Sequence, residues 1–370
     1  MAIINTLFAN IMKTLHIIEP TLHDETGHCC GYITSLLEAN QPALFDIELW
    51  IDRRGKKLFT ERMHPYFQRR WRKLQLFWLY RRLLKQQQAF FVPTAGRIDL
   101  KMLHILAGNR YSLDHVALHF HQFRSTEKKL QKLEKVANRH ANLNIFIPTE
   151  KLAQIFHQAG FKHCRVVPCP TYRPDTADFL PTFTKLIYAG AARIDKGFDQ
   201  IVDLARYLAT IHQTIPFEIQ VSAPHSGCYE PLIEQCLAQL KTLSAPWLQL
   251  HTETLNRAAY QQLFKGSICI QPYQHVAYHD KFSGVLLDAM YAGCPVITVA
   301  DTWMGDVVQR FNAGIVLSDL NAQSLWQSCQ TIINNYALFH ANACKAGQQL
   351  RQEHDPRRTL EALQQCFNAV

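Results

Sequence analysis

Short apolar runs alternate along most of the chain with longer stretches whose apolar positions recur every three or four residues. The first run, KTLHIIEP at residues 13–20, is β-branched and closed by Pro20, and predicts a strand. A polar loop containing Gly27 follows, then CCGYITSLLEAN with helical spacing. FDIELWID, AFFVPT, HVALHFH, NLNIFIPT and CRVVPCP predict further strands. Among them STEKKLQKLEKVANRH and EKLAQIFHQAG predict amphipathic helices, the first capped by Ser125 or Thr126.

The Pro-, Thr- and Asp-rich stretch at residues 171–182 reads as an interdomain linker. After it the alternation restarts with the strand KLIYAGA. It continues through PFEIQVSA, WLQLHTE, SICIQPY, PVITVA and AGIVLS, each separated from the next by a helical pattern, and two helices close the chain. Strand–helix alternation in both halves predicts an α/β protein of two Rossmann-like, doubly wound parallel-sheet domains facing a central cleft. In such sheets ligands bind beyond the carboxyl ends of the strands, where helix N-termini point.

Composition narrows the class. At 370 residues and 48% hydrophobic the chain can fill two cores. No run reaches membrane-spanning length. The start lacks the basic opening and cleavage site of a signal peptide and reads as a short extension before the first strand. Eleven scattered cysteines without a C-x-x-C predict reduced thiols and a cytoplasmic protein. G-x-G-x-x-G, a P-loop lysine motif, zinc-ligand spacing and Asp-x-Asp are all missing, so the dinucleotide, P-loop and zinc readings lack their fingerprints and no bound cofactor is expected.

Charge is concentrated. Residues 53–85 hold twelve Lys or Arg and one acid, against 27 basic and 29 acidic residues elsewhere. Within this segment Phe67, Trp71, Leu74, Phe77, Trp78, Leu79 and Leu83 interleave with Arg69, Arg70, Arg72 and Lys73. A helix from about Pro65 would gather the aromatic and leucine residues on one side. A core helix alone leaves the cations unexplained, and nucleic acid leaves the tryptophans and leucines unexplained. An interfacial helix on an anionic membrane accounts for both, with an acidic polysaccharide as the next reading. RNA binding is disfavoured because no RNA module is recognisable and the rest of the chain is near neutral.

Two passages carry candidate chemistry. YAGAARIDKGFDQIVDLA sets Arg193 and Lys196 on a glycine-containing turn before a helix, where cations oppose the helix dipole and call for an anion. DKFSGVLLDAMYAGCPVITV sets Asp280 and Asp288 on either side of a helix start. Asp288 could accept ribose hydroxyls and Asp280 sugar hydroxyls, while amides near Ser283 add to an anion site. The bland alternatives are a capping role for Asp280, a packed core role for His121, and simple packing for Cys294.

These passages resemble the retaining GT-B glycosyltransferases of the family 4-like group. YAGAARIDKGF is similar to that family's Gly-x-x-Arg-x-x-Lys-Gly turn. DKFSGVLLDAMYAGCPVITV is similar to its Glu-x7-Glu pattern, with Asp280 and Asp288 for both glutamates, Phe282 matching, and Ser283 where glycine is usual. Asp306, in GDVVQRFNAGIVLS, falls at another acidic position of the pattern. The resemblance covers roughly residues 13–345 and is looser in the first half. There Gly27 and His28 fall where the family has a phosphate and acceptor loop. His121, with His119 as alternate, falls at the strand end near the reacting sugar.

The resemblance implies a hexosyltransferase acting from a nucleotide diphosphate sugar, with retention and without a metal. His121 and Asp280 would act at the reacting sugar; Arg193, Lys196, Phe282, Ser283, Gly284 and Asp288 would hold the donor. It also implies an acceptor-binding domain at residues 1–172 and a nucleotide-sugar-binding domain at 183–345, with a helix in 346–370 packing back on the first. The expected acceptor is lipid-linked or a glycan, in envelope glycan or glycolipid synthesis. The expected location is cytoplasmic, peripheral at the inner face of the membrane through residues 53–85. The rival reading is a relic of the fold that binds a nucleotide sugar or a membrane surface but turns over little, since each aspartate is one methylene shorter than glutamate.

Overall fold

Every strand pairing among the described residues is parallel, and their strands form two separate sheets. The computed structural model describes residues 12–24, 28–59, 62–123, 125–171, 180–223, 228–243, 245–253 and 255–368. The chain divides into one unit of Met1–Tyr172 with His354–Val370 and a second of Arg173–Glu353. The linker reading at 171–182 falls mostly on 172–179, outside the described residues.

In the first unit the strands are β1 (Thr14–Glu19), β2 (Asp46–Asp52), β3 (Met63–Phe67), β4 (Ala89–Val92), β5 (Val116–His119), β6 (Asn144–Ile147) and β7 (Cys164–Val166). They lie in the order β3-β2-β1-β4-β5-β6-β7. Strands β4, β5 and β6 are buried on both faces, which is why they read as unbroken apolar runs. The helices Arg72–Lys85, Arg97–Ala107, Glu127–Arg139 and Glu150–Gln158 contribute to one continuous core. Helix His28–Ala39 packs against the C-terminal helix Pro356–Asn368. Chain progression reverses between β1 and β4, and the right-handed rule for crossovers between parallel strands assigns the helices of the two halves to opposite faces.

In the second unit β8 (Lys185–Tyr188), β9 (Phe217–Gln220), β10 (Leu248–His251), β11 (Ser267–Gln271), β12 (Val296–Val299) and β13 (Gly314–Leu317) lie in the order β10-β9-β8-β11-β12-β13. The reversal falls between β8 and β11, so this sheet opens its ligand crevice beyond those two carboxyl ends. Separate cores fill its two faces, one under the helices Phe198–Thr210, Pro231–Leu243 and Ala322–Asn334, the other under Gly284–Tyr291, Trp303–Phe311 and Tyr336–Glu353.

Four expectations are corrected. Residues 63–67 are an edge strand, and the basic helix begins at Arg72 instead of near Pro65. Pro65 is tolerated because an edge strand leaves one side without ladder bonds. Helix Arg97–Ala107, unforeseen, starts from Gly96 and is pinned by Asp99. Thr126 is the N-cap of its helix but makes no side-chain capping bond. Three helices close the chain, because Asn335 ends one at Asn334 and Tyr336–Glu353 follows at once. No helix among the described residues is long and apolar enough to cross a membrane.

Candidate functional site

Beyond the end of β8 the chain turns at Gly190, whose φ of +104° lies in the region that favours glycine. Its amide donates to the buried Gln220 at 2.7 Å. The residues that follow form a 3-10 turn, Ile194–Lys196, with Arg193 at its N-cap. Gly197 closes the turn at φ +67°, and a Cβ there would lie 1.9 Å from the Pro272 carbonyl oxygen. The Gln274 amide donates to the Asp195 carbonyl at 3.0 Å, so the turn is fastened to the loop after β11.

Within this turn Arg193 pairs with Asp195. Lys196 behaves differently. Its ammonium lies 5.5 Å from the Tyr273 ring centroid, and a Cβ on Gly190 would come within 2.8 Å of it. Among the described residues no carboxylate pairs with it. Loss of hydration, with the nearby Arg193 charge, holds the Lys196 amine down to about 8.

Helix Gly284–Tyr291 starts beside the same turn, since the Gly190 Cβ position is also 3.7 Å from Val285. Ser283 is its N-cap. Its hydroxyl accepts from the Leu286 amide at 3.3 Å, and its φ of −123° is ordinary extended backbone. Glycine is therefore not required at 283. Open space lies at Gly284, which is exposed and would accept a Cβ without contact. The amides of Gly284 and Val285 have no acceptor among the described hydrogen bonds, as expected of a helix start. The helix is held from behind by Tyr336–Glu353, where Gly347 lets the backbone at Met290 approach and Arg351 donates to the Tyr291 carbonyl at 2.8 Å.

Asp288 lies one turn into this helix and accepts from the Tyr260 hydroxyl at 3.0 Å. Burial raises its carboxyl to about 6, against the Tyr260 bond that lowers it. The buried Cys269 thiol on β11 feels both Lys196 and Asp288, which ties the two groups to one region. Phe282 packs edge-on against Trp303 at 6.2 Å. Asp280 is half-buried in the segment between Tyr278 and that helix, and Asp306 is exposed in the first turn of Trp303–Phe311.

The structure thus brings Arg193, Lys196, Ser283, Gly284 and Asp288 to the β8/β11 switch point. Sequence reasoning missed Gln220, Tyr260 and Tyr273, which reach the region from β9, a separate helix and the loop after β11. A glutamine ending a strand beside the switch point was the available signal for Gln220.

In the first unit, Gly27 lies outside the described residues, and His28 is the first residue of helix His28–Ala39. His119 ends β5, fully buried, and its Nδ1 shares a 2.7 Å hydrogen bond with the Tyr32 hydroxyl. Desolvation, with His121 nearby, holds the His119 ring well below its usual range, so it is neutral. His121, expected at the strand end, instead lies two residues beyond it, where His119 already closes the strand; it is half-exposed, stacked 5.8 Å from Tyr32 and 5.1 Å from the His119 ring. His119, His121 and Cys169 each bring a ligating atom within 4.8 Å of the others. Burial pushes the Cys169 thiol well up, which works against the thiolate a metal needs. Tyr32 already occupies one nitrogen of His119.

No protein-family model matches this chain, and no curated protein matches it. Solved structures do. HepE from Anabaena in complex with UDP aligns over 97% of this chain and 100% of its own, with a TM-score of 0.70 and 14% identity. Sucrose-phosphate synthase from Thermosynechococcus elongatus aligns over 96% and 98%, with 0.65 and 14%. WaaG, a glycosyltransferase involved in lipopolysaccharide biosynthesis, aligns over 94% and 99%, with 0.63 and 12%. At these identities the likeness is one of fold, and the fold is GT-B: two Rossmann-like units, each a parallel sheet between helices.

Proposed function

We propose that this protein is a glycosyltransferase that takes a sugar from a nucleotide diphosphate sugar and passes it to an acceptor hydroxyl. The observation that carries the reading is Lys196: a half-buried ammonium that no carboxylate pairs with among the described residues, beside a glycine turn and a helix start at the β8/β11 switch point. Such a group calls for an anionic ligand. HepE, which shares the fold, has been captured with UDP and with UDP-glucose.

In this reading Lys196, Arg193 and the amides of Gly284 and Val285 hold the diphosphate and stabilise the charge that grows as the sugar C1–oxygen bond breaks. Asp288 accepts from the ribose, Asp280 accepts from the sugar, and Phe282 and Ser283 shape the helix entry; His121 keeps the role at the reacting sugar that the resemblance implies. The acceptor oxygen bonds to C1 as the diphosphate leaves, and its proton passes to a departing phosphate oxygen. We assign retention of configuration, no divalent cation, and a lipid-linked or glycan acceptor of the cell envelope.

Titration calorimetry of UDP-glucose and GDP-mannose against the wild type and Lys196→Ala, followed by a donor-hydrolysis assay with and without EDTA, tests this. Binding of one donor that collapses in the variant supports the site. Turnover unchanged by EDTA supports the metal-free assignment. Binding without turnover in any acceptor extract would leave a nucleotide-sugar-binding relic.

A further inference from the structure

The helix Arg72–Lys85 serves two surfaces. Leu76, Leu79, Tyr80, Leu83 and Leu84 are buried and belong to the core, as is Phe67 on β3. These residues account for folding. They leave Trp71, Leu74 and Trp78 exposed at 51%, 55% and 55%, in steps of three and four along one side. Arg69, Arg70, Lys73, Arg81 and Lys85 are exposed around that stripe. Arg70 lies 5.8 Å from the Trp71 ring centroid and Arg81 5.6 Å from that of Trp78. No Asp or Glu occurs from Arg62 to Ile98, and the next acid, Asp99, is buried against Tyr80. Among the described residues none of these five cations pairs with a carboxylate, so the surface carries a net positive charge. Helix Arg97–Ala107, which packs against this one, exposes Ile98 and Ile105 together with Arg97 and Lys101.

We propose that this face docks on an anionic lipid bilayer, with Trp71, Leu74 and Trp78 entering the headgroup region and the surrounding cations meeting lipid phosphates. Two tryptophans around a leucine suit a boundary that is apolar on one side and wet on the other. Long basic side chains at the rim can lay their stems on the apolar zone and keep their charges at phosphate level. A nucleic acid would satisfy the cations and stack on the tryptophans but leave Leu74 in water. The inference uses no part of the donor site, so the two readings fail separately.

The test is flotation of the full chain with vesicles of phosphatidylcholine alone or with added phosphatidylglycerol, at low and high salt. Two variants accompany it: R69Q/R70Q/K73Q/R81Q, and W71S/L74S/W78S. All substituted positions are exposed, so circular dichroism and the thermal midpoint should match the wild type. Each cation near an anionic leaflet multiplies affinity about fivefold, so the charge variant should lose at least about tenfold in recovery with anionic vesicles. The serine variant should lose as much, and wild-type tryptophan emission should shift to the blue on binding. Salt should release the protein. Equal recovery with neutral and anionic vesicles, or none with either, overturns the proposal. So does full binding by the serine variant, which would reduce the contact to charge alone, and so does binding of RNA by a protein that recovers with neither kind of vesicle.

Discussion

Tyr260 donates its hydroxyl hydrogen to a carboxylate oxygen of Asp288 across 3.0 Å, from helix Arg257–Phe264 to helix Gly284–Tyr291. The bond leaves the other carboxylate oxygen for a ligand and opposes the burial that lifts Asp288 to about 6. A carboxyl raised above its unfolded value adds most stability below that unfolded value, and loses the contribution as pH rises through about 6. Ligand binding runs the other way, because a ribose hydroxyl needs the ionised acceptor. UDP-glucose, whose diphosphate does not titrate in this range, should therefore bind more tightly as pH rises through about 6. Asp288→Asn should weaken binding and flatten that limb, and Tyr260→Phe should move it to higher pH. A limb unchanged in both variants would remove Asp288 from the nucleotide site.

Lys196 predicts the opposite limb. Its amine is held to about 8 by lost hydration, so its charge is favoured below that value and lost above it. Donor affinity should fall as pH climbs through about 8. Lys196→Met should cost about 1.5–3 kcal/mol of binding, the usual worth of a hydrogen bond to a charged group. It should leave thermal stability unchanged or higher, since a desolvated cation that no carboxylate pairs with among the described residues gives the fold little. Calorimetry and a melting curve on the same sample separate the two effects; a matched loss of both would mark Lys196 as structural.

Two glycines of the site should respond differently to the same methyl. Gly197→Ala forces a side chain into a positive-φ position and against the Pro272 carbonyl, and should destabilise the protein by at least about 2 kcal/mol. Gly284→Ala meets open space and should leave stability within about 0.5 kcal/mol. If the diphosphate approaches that backbone closely, Gly284→Ala should still lower donor affinity. Unchanged affinity would place the phosphates elsewhere.

His119 and His121 should separate stability from turnover. His119→Ala leaves the buried Tyr32 hydroxyl without its partner and should cost about 1–3 kcal/mol of stability. His121→Ala, at a half-exposed position, should unfold near the wild-type midpoint and lose turnover. Wild-type turnover in that variant would assign the role at the reacting sugar to another residue.

Much of the fold was legible because parallel strands buried on both faces leave short apolar runs, as in AFFV and VITV. Arg193, Lys196 and Asp288 were legible because each lies within one contiguous passage. Tyr260, Gln220 and Tyr273 were not, because only the β8/β11 and β8/β9 pairings bring them to the region. The basic segment misled for a related reason. Its leucines and aromatics serve two faces, and sequence spacing alone did not separate Leu76, Leu79 and Leu83, in the core, from Trp71, Leu74 and Trp78 outside it. Ser283 departs from a glycine pattern, yet its backbone is extended and its hydroxyl is the helix cap.

The helix Pro356–Asn368 belongs to the first unit, although all of the second precedes it in the chain. Arg357 donates to the carbonyls of Ala39 and Pro42, Phe367 lies edge-on to Phe45, and Lys13 donates to the Phe367 carbonyl. During synthesis the surface around Phe45 and helix His28–Ala39 must therefore wait, uncovered, while the entire second unit emerges and folds. The half of the molecule that is made first is finished last, and a chain ended before residue 356 would hold an N-terminal unit with an open apolar flank.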